Sequence, residues 1–194
     1  FAVLPGSRQS EMRNLGGPFI GAMHRLQQRY PQAQFIVPFA TPQTRALFEA
    51  ELARQGAHGL NLRCVDGGSV NSHQAMTACD VVLVASGTAT LEAALLKRPL
   101  VMAYRMGGLS WQLMRRMAYL PYHSLPNILA GRFVVPEFLQ DEVTADNLAQ
   151  ALANAYEDRD TTARLQAVFR DIHLQLRQNT AEKAAQAVLS YLQA

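Results

Sequence analysis

Cysteine is nearly missing from this chain of 194 residues: only Cys64 and Cys79 occur, without metal-ligand spacing and in apolar surroundings. That removes a disulfide framework and a zinc site, and leaves two reduced, buried thiols in a cytosolic protein as the expectation. No apolar run approaches the length that spans a bilayer, and no signal-peptide pattern opens the chain. Charge is sparse as well, with 17% charged residues, a formal net charge of +3 and a pI near 9.1. Without a dense Lys/Arg block, nucleic acid is not expected as a partner; an anionic membrane surface or an anionic substrate suits the mild basicity. The dinucleotide fingerprint G-x-G-x-x-G and the phosphate loop G-x-x-x-x-G-K-[ST] are both missing, so the cofactors they hold are not expected. His24, His58, His73, His123 and His173 form no metal-ligand pattern, and no Ser/His/Asp or Cys/His nucleophile set is legible. An initiating methionine is missing too. The chain begins inside the strand-like Phe1-Ala2-Val3-Leu4, and a piece of a longer protein cut at a domain boundary is expected.

What is present is a regular alternation. Short apolar runs at Phe1–Pro5, Gln34–Pro38, Asn61–Val65, Val81–Ala85 and Leu100–Tyr104 read as strands. Between them lie amphipathic segments near Pro18–Tyr30, Pro42–Gln55, Val70–Cys79 and Thr88–Leu96 that read as helices. Strands separated by single helices imply an α/β fold with a doubly wound parallel sheet. Right-handed crossovers then put every strand-to-helix loop on one edge, where ligands bind. Beyond Tyr104, Leu109–Tyr119 reads as an apolar and basic helix, Pro121–Gly131 as irregular, and helices are expected near Ala145–Tyr156, Arg159–Arg177 and Ala181–Leu192. Thr144 can cap the first of these, and Asn179 with Glu182 makes a capping-box-like start for the last.

The most informative string runs from Val81 to Glu92. An aliphatic strand breaks at Ser86-Gly87-Thr88, and a helix-forming segment follows at once. Backbone N–H groups at such a helix start lack partners and carry partial positive charge, which suits an anion. Gly87 lets the backbone approach that anion, and the hydroxyls of Ser86, Thr88 and Thr90 can donate to it. The same string is also compatible with an ordinary turn capped by Thr88. Glu92, one turn into the helix, could accept hydrogen bonds from a ribose or simply complement the helix dipole. Leu4-Pro5-Gly6-Ser7-Arg8 is a second strand-to-loop transition, where Arg8 could fork onto a phosphate. Arg105 and Met106 stand just past a strand end, Arg105 reading either as a phosphate contact or as a surface charge. Asn127, Gly131 and Arg132 lie in a loop-like string that offers amide and guanidinium donors, or turns into the next segment. Leu109, Trp111, Leu113, Met114, Met117 and Leu120 with Arg115 and Arg116 could lie on an anionic bilayer or meet acyl chains, although such a stripe more often packs into a core or a subunit interface.

Taken together these strings resemble the lipid-A-disaccharide synthase family of Gram-negative bacteria, in its carboxyl-terminal half. The matching stretches are Leu4–Arg8, Ala85–Glu92, Tyr104–Met106, Ser124–Arg132 and Val135–Glu142, in order and over essentially the whole chain. Ser86-Gly87-Thr88 with Glu92 is shared with other sugar-nucleotide enzymes of the GT-B fold, whereas Ser124–Arg132 is more specific. The resemblance implies that residues 1–194 form a Rossmann-like, UDP-sugar-binding domain, with terminal helices from about 144 and the acceptor domain absent. It implies transfer of 2,3-diacylglucosamine from its UDP derivative to 2,3-diacylglucosamine 1-phosphate (lipid X), releasing UDP. Gly6, Ser7, Arg8, Ser86, Gly87, Thr88 and Ala89 would surround the diphosphate, Arg8 would be catalytic, and Glu92 would hold the ribose. Arg105 and Met106 would flank the nucleotide, Met106 at the uracil, and Asn127 would touch the nucleotide sugar or its phosphate. No cofactor or metal is implied, since Arg8 and the helix dipole can take a metal's place. A homodimer peripheral to the cytoplasmic face of the inner membrane is the implied setting. The alternatives are another UDP-sugar GT-B enzyme, such as the peptidoglycan N-acetylglucosaminyltransferase or the UDP-N-acetylglucosamine 2-epimerase, or a nucleotide-binding module without catalysis.

Overall fold

Val82-Leu83-Val84-Ala85 and Leu100-Val101-Met102-Ala103 are apolar at every position because both faces of these strands are covered. The computed structural model describes residues 1–67, 72–108, 111–112 and 120–192. Its sheet has the order β3-β2-β1-β4-β5-β6, all parallel. The strands are β1 (Ala2–Leu4), β2 (Phe35–Phe39), β3 (Leu62–Asp66), β4 (Val82–Ala85), β5 (Leu100–Tyr104) and β6 (Glu137–Leu139). β1 lies in register with β4 from Ala2 opposite Val82 to Leu4 opposite Val84. The expected doubly wound α/β fold is present.

Side chains alternate across the sheet with period two. Val3, Leu83, Val101 and Ala103 point to a layer made by α1 (Gln9–Arg29), α2 (Pro42–Arg54) and α6 (Ala145–Glu157). Ala2, Leu4, Val82, Val84, Leu100 and Met102 point to the opposite layer, made by α3 (Ser72–Ala78), α4 (Thr88–Leu95) and α7 (Arg159–Leu176). Phe19, Phe35 and Phe48 fill the first core and Phe169 the second. Each such fully buried side chain contributes about 1.5–3 kcal/mol. α5 (Leu125–Ala130) packs beside α4, and α8 (Thr180–Leu192) closes the chain with its side chains in solvent up to Ser190.

Several expectations change. The first helix begins at Gln9 and carries Pro18 in its interior. Proline removes one backbone hydrogen bond, yet the buried stripe Met12, Leu15, Phe19, Ile20, Met23 and Leu26 runs through it without a break, so packing overrides the local signal. The stretch expected to be irregular at Pro121–Gly131 contains α5, which ends at Gly131 in the left-handed conformation. A sixth strand, β6, was not legible from the sequence. The helix expected at Leu109–Tyr119 lies outside the described residues except for Trp111 and Gln112, Trp111 packing against His123. No helix among the described residues is long and apolar enough to cross a membrane.

Two polar clasps hold the periphery. Asn127 is fully buried: its Nδ2 donates to the Val135 carbonyl (2.9 Å) and to Glu137 Oε1 (2.6 Å). Its Oδ1 accepts from the amides of Val134 (2.7 Å) and Val135 (2.9 Å). The Glu137 carboxylate also accepts from the amides of His123 and Ser124 and from the Ser124 hydroxyl, tying α5 to β6. At the other edge, Arg29 Nη2 bonds both oxygens of Glu157 (2.8 and 2.9 Å), and the Tyr30 hydroxyl donates to the same carboxylate. Desolvation, reinforced by the bond to Glu157, pushes the Tyr30 phenol up to about 12.

Asn127→Ala strands two buried amides, a carbonyl and part of a carboxylate, and should cost about 3 kcal/mol in urea unfolding. A loss under about 1 kcal/mol would mean that the clasp is not formed. The raised Tyr30 value means that this group's contribution is intact below pH 10.0 and is lost as pH rises through about 12. An ultraviolet difference titration of wild type against Tyr30→Phe should therefore isolate a phenol ionising near 12. Ionisation near 10.0, the ordinary value, would contradict the clasp.

Candidate functional site

In a sheet of order β3-β2-β1-β4-β5-β6 the chain leaves β1 and β4, which are neighbours, for opposite faces. A crevice opens between the two loops at the carboxyl edge of the sheet. The first loop is Pro5-Gly6-Ser7-Arg8, leading into α1; the second is Ser86-Gly87, leading into α4. Together they line a cleft of about 440 Å³.

Each loop turns on a glycine with positive φ: Gly6 at 111° and Gly87 at 138°. Gly87, not Thr88, is the N-cap of α4, and no side chain caps the helix. Thr88 is instead the first helical residue, exposed at the cleft. The Thr90 hydroxyl donates to the Gly87 carbonyl (2.8 Å) and accepts from the Leu125 amide (3.3 Å). Thr90 is fully buried, so it fixes the turn and offers no donor to the cleft. No acid stands in the first turn of α4, which leaves this helix start positive. The other helix start differs. Glu11 in the first turn of α1 accepts from the Ser7 amide (3.0 Å), the Arg8 amide (3.2 Å) and the Arg8 guanidinium (3.0 Å).

Of the residues picked out in the sequence, Gly6, Ser7, Arg8, Ser86, Gly87, Thr88, Ala89 and Glu92 line this one cleft. Glu92 is half-buried, and its carboxylate has no partner among the described residues. The other three stand elsewhere. Arg105 lies past β5, where its carbonyl accepts from Asn14 Nδ2 (3.3 Å). The Met106 amide donates to Gln140 Oε1 (2.9 Å), and its carbonyl accepts from Gln140 Nε2 (3.3 Å). Neither lines the cleft. Asn127, expected at the nucleotide sugar, has every hydrogen-bonding position of its amide occupied inside the protein, so its part is to build the wall behind α4.

Seven lining residues were not picked out as site residues: Leu4, Val84 and Ala85 at the ends of β1 and β4, and Glu11, Pro38, Ala40 and Ser72. Glu11 had a signal, an acid three residues after the Arg8 N-cap, which is the capping-box position. Pro38 lies at the end of β2, the strand beside β1, and Ala40 just past it, and only the sheet order brings them in. Among the described residues no three His, Cys, Asp or Glu side chains stand close enough together to hold a metal ion. Burial pushes both thiols up, Cys64 half-buried and Cys79 buried, so neither is a ready nucleophile.

The model of the lipid-A-disaccharide synthetase family matches residues 1–191. The lipid-A-disaccharide synthase of Dechloromonas aromatica (strain RCB) is 52% identical over 193 residues, which is 99% of this chain and 50% of that protein. That of Azoarcus sp. (strain BH72) is 56% identical over 191 residues, 98% of this chain and 48% of that protein. The chain spans about half the length of the curated relatives it matches. Among solved structures, the pneumococcal O-GlcNAc transferase GtfA in complex with UDP and GlcNAc aligns with a TM-score of 0.60 at 14% identity, over 97% of this chain and 36% of that one. Trehalose-6-phosphate synthase OtsA aligns with a TM-score of 0.60 at 14% identity, over 97% of this chain and 43% of that one. These structural likenesses show the fold, that of one half of a GT-B glycosyltransferase. The match over 191 residues and identities above 50% establish that the chain belongs to the lipid-A-disaccharide synthetase family.

Proposed function

We propose that residues 1–194 are the carboxyl-terminal, nucleotide-sugar-binding half of a lipid-A-disaccharide synthase. The observation that carries this reading is the convergence of the Gly6 and Gly87 loops on one cleft beside the Glu92 carboxylate, which has no partner among the described residues, in a chain of this family. The proposed reaction transfers 2,3-diacylglucosamine from UDP-2,3-diacylglucosamine to the 6-hydroxyl of 2,3-diacylglucosamine 1-phosphate. The bond from the sugar's anomeric carbon to the diphosphate breaks and a β-1,6 glycosidic bond forms. The acceptor's proton passes to a base in the other half of the enzyme, and UDP leaves.

In that transition state negative charge grows on the departing diphosphate. The uncapped start of α4, at Gly87, Thr88 and Ala89, supplies fixed positive potential for it, and Arg8 supplies an exposed guanidinium. Glu92, one turn along α4 from the same seat, is within the cleft to accept from the ribose hydroxyls. Arg105 and Met106 do not line this cleft, and their assignment to the nucleotide, Met106 at the uracil, rests on the resemblance to the family. The enzyme is placed by this reading at the cytoplasmic face of the inner membrane as a peripheral homodimer. Exposed Leu120, Phe133 and Leu129 beside Arg132 support a lipid-facing surface, and the exposed Val188 and Leu189 of α8 support a protein contact.

Glu92→Ala should weaken UDP binding by about 1–3 kcal/mol in calorimetric titration, with UMP and ADP as controls. An unchanged dissociation constant would remove the ribose assignment. In the full-length enzyme Arg8→Ala should lower turnover by about 10²-fold or more while leaving the unfolding transition near that of the wild type. Equal losses in folded fraction and rate would make Arg8 structural. Replacing Leu129 and Phe133 with serine should release the full-length enzyme from anionic vesicles in a sedimentation assay; retention with normal folding would exclude this surface.

A further inference from the structure

The two helix starts that face the cleft are not in the same state. α4 begins at Gly87 with no acid in its first turn and no side-chain cap. α1 begins under a carboxylate of the protein's own. Glu11 Oε2 accepts from the consecutive amides of Ser7 (3.0 Å) and Arg8 (3.2 Å), while Oε1 accepts from Arg8 Nη1 (3.0 Å). Two successive backbone amides and a guanidinium are the donor set that a phosphate group takes at a helix N-terminus. Here a carboxylate already fills it. Its placement is also built into the loop: a Cβ on Gly6 would stand 2.3 Å from Glu11 Oε2, so glycine is needed there for room as well as for its φ of +111°.

The division of labour between the two oxygens matters. Oε2 caps the helix and Oε1 alone holds the guanidinium, so Arg8 can leave without uncapping α1. The pair is unequal in exposure: the Arg8 side chain is 78% exposed and that of Glu11 15%. An ion pair with one arm so exposed is weak, and the guanidinium exchanges readily for a more highly charged partner. A diphosphate seated at α4 is such a partner. The carboxylate left behind, however, still lines the same cleft and repels it.

We infer that Glu11 is an internal counter-anion: it holds the Ser7 and Arg8 amides at the entry to α1, competes with the ligand's diphosphate for Arg8, and thereby sets the affinity of the cleft for the nucleotide. The diphosphate then meets a carboxylate at the α1 rim and positive potential at α4, and release of UDP after transfer is assisted by recapture of Arg8 on Glu11. This inference rests on the reading of the cleft as a UDP site.

The test is calorimetric titration of UDP into wild type, Glu11→Gln, Arg8→Ala and the double variant, with thermal unfolding of each. Glu11→Gln keeps an acceptor for the Ser7 and Arg8 amides and removes the charge. It should bind UDP about 3- to 10-fold more tightly, and the gain should vanish when Arg8 is alanine. Equal or weaker binding by folded Glu11→Gln overturns the inference and makes Glu11 a support that aims Arg8. Should Glu11→Gln fail to fold, Glu11→Asp draws the carboxylate back by one methylene, and a smaller gain is expected; no gain overturns the inference. If wild type does not bind UDP, the nucleotide reading fails separately. Inorganic pyrophosphate then serves as the probe, with tighter binding to Glu11→Gln supporting the counter-anion and no gain overturning it.

Discussion

A parallel sheet covered on both faces leaves little room for a ligand, because each strand-to-helix loop is normally roofed by its neighbour. The exception is the place where the strand order reverses. Here β1 and β4 lie side by side, yet the chain leaves β1 for the face of α1 and leaves β4 for the opposite face of α4. The gap above their carboxyl ends is the cleft, and the rest of the site depends on it. Ser7 and Thr88 are 81 residues apart in sequence and face one another across the cleft only because of this reversal. The glycines at 6 and 87, with φ of 111° and 138°, let the chain turn sharply enough at each rim to present helix starts to the gap.

Electrostatics then distinguishes the two rims. Glu11 puts a carboxylate in the first turn of one helix and the other has no acid there, so the start of α4 is the more positive of the two rims, with Arg8 paired to Glu11 across from it. An arrangement of this kind fits chemistry in which a diphosphate must be stabilised as it departs and then be released. Polar groups further back serve the frame. Thr90 holds the Gly87 turn, and Asn127 with Glu137 ties α5 and β6 behind α4. The departing charge would thus meet dipoles that are already oriented.

The strand-loop-helix from Val81 to Glu92 was legible because each of its signals is local: an unbroken aliphatic run, a glycine at the turn, and helix formers after it. The Pro5–Arg8 loop was legible for the same reason. What escaped was held by distant contacts. β6 is a three-residue strand at the sheet edge, half-exposed throughout, and its pairing with β5 rather than its composition makes it a strand. α5 is six residues long with Pro126 in its first turn, too short to stand without the Asn127 and Glu137 clasp. Asn127 looked like a ligand contact because an amide in a loop-like string has free donors on paper; in the fold all of them are used. Pro18 looked like a helix start, since proline suits that position, and a buried stripe on both sides of it decided otherwise.

The central claim is that the diphosphate of UDP sits at the bare start of α4. Nuclear magnetic resonance of ¹⁵N-labelled protein with added UDP tests it directly. The account predicts the largest amide shifts at Gly87, Thr88 and Ala89, smaller ones at Ser7 and Arg8, and none at Val134 and Val135, whose amides Asn127 holds. Shifts centred on the opposite edge of the sheet, around Arg98 and Arg159, or no shifts at the Gly87 loop at saturating UDP, would contradict it.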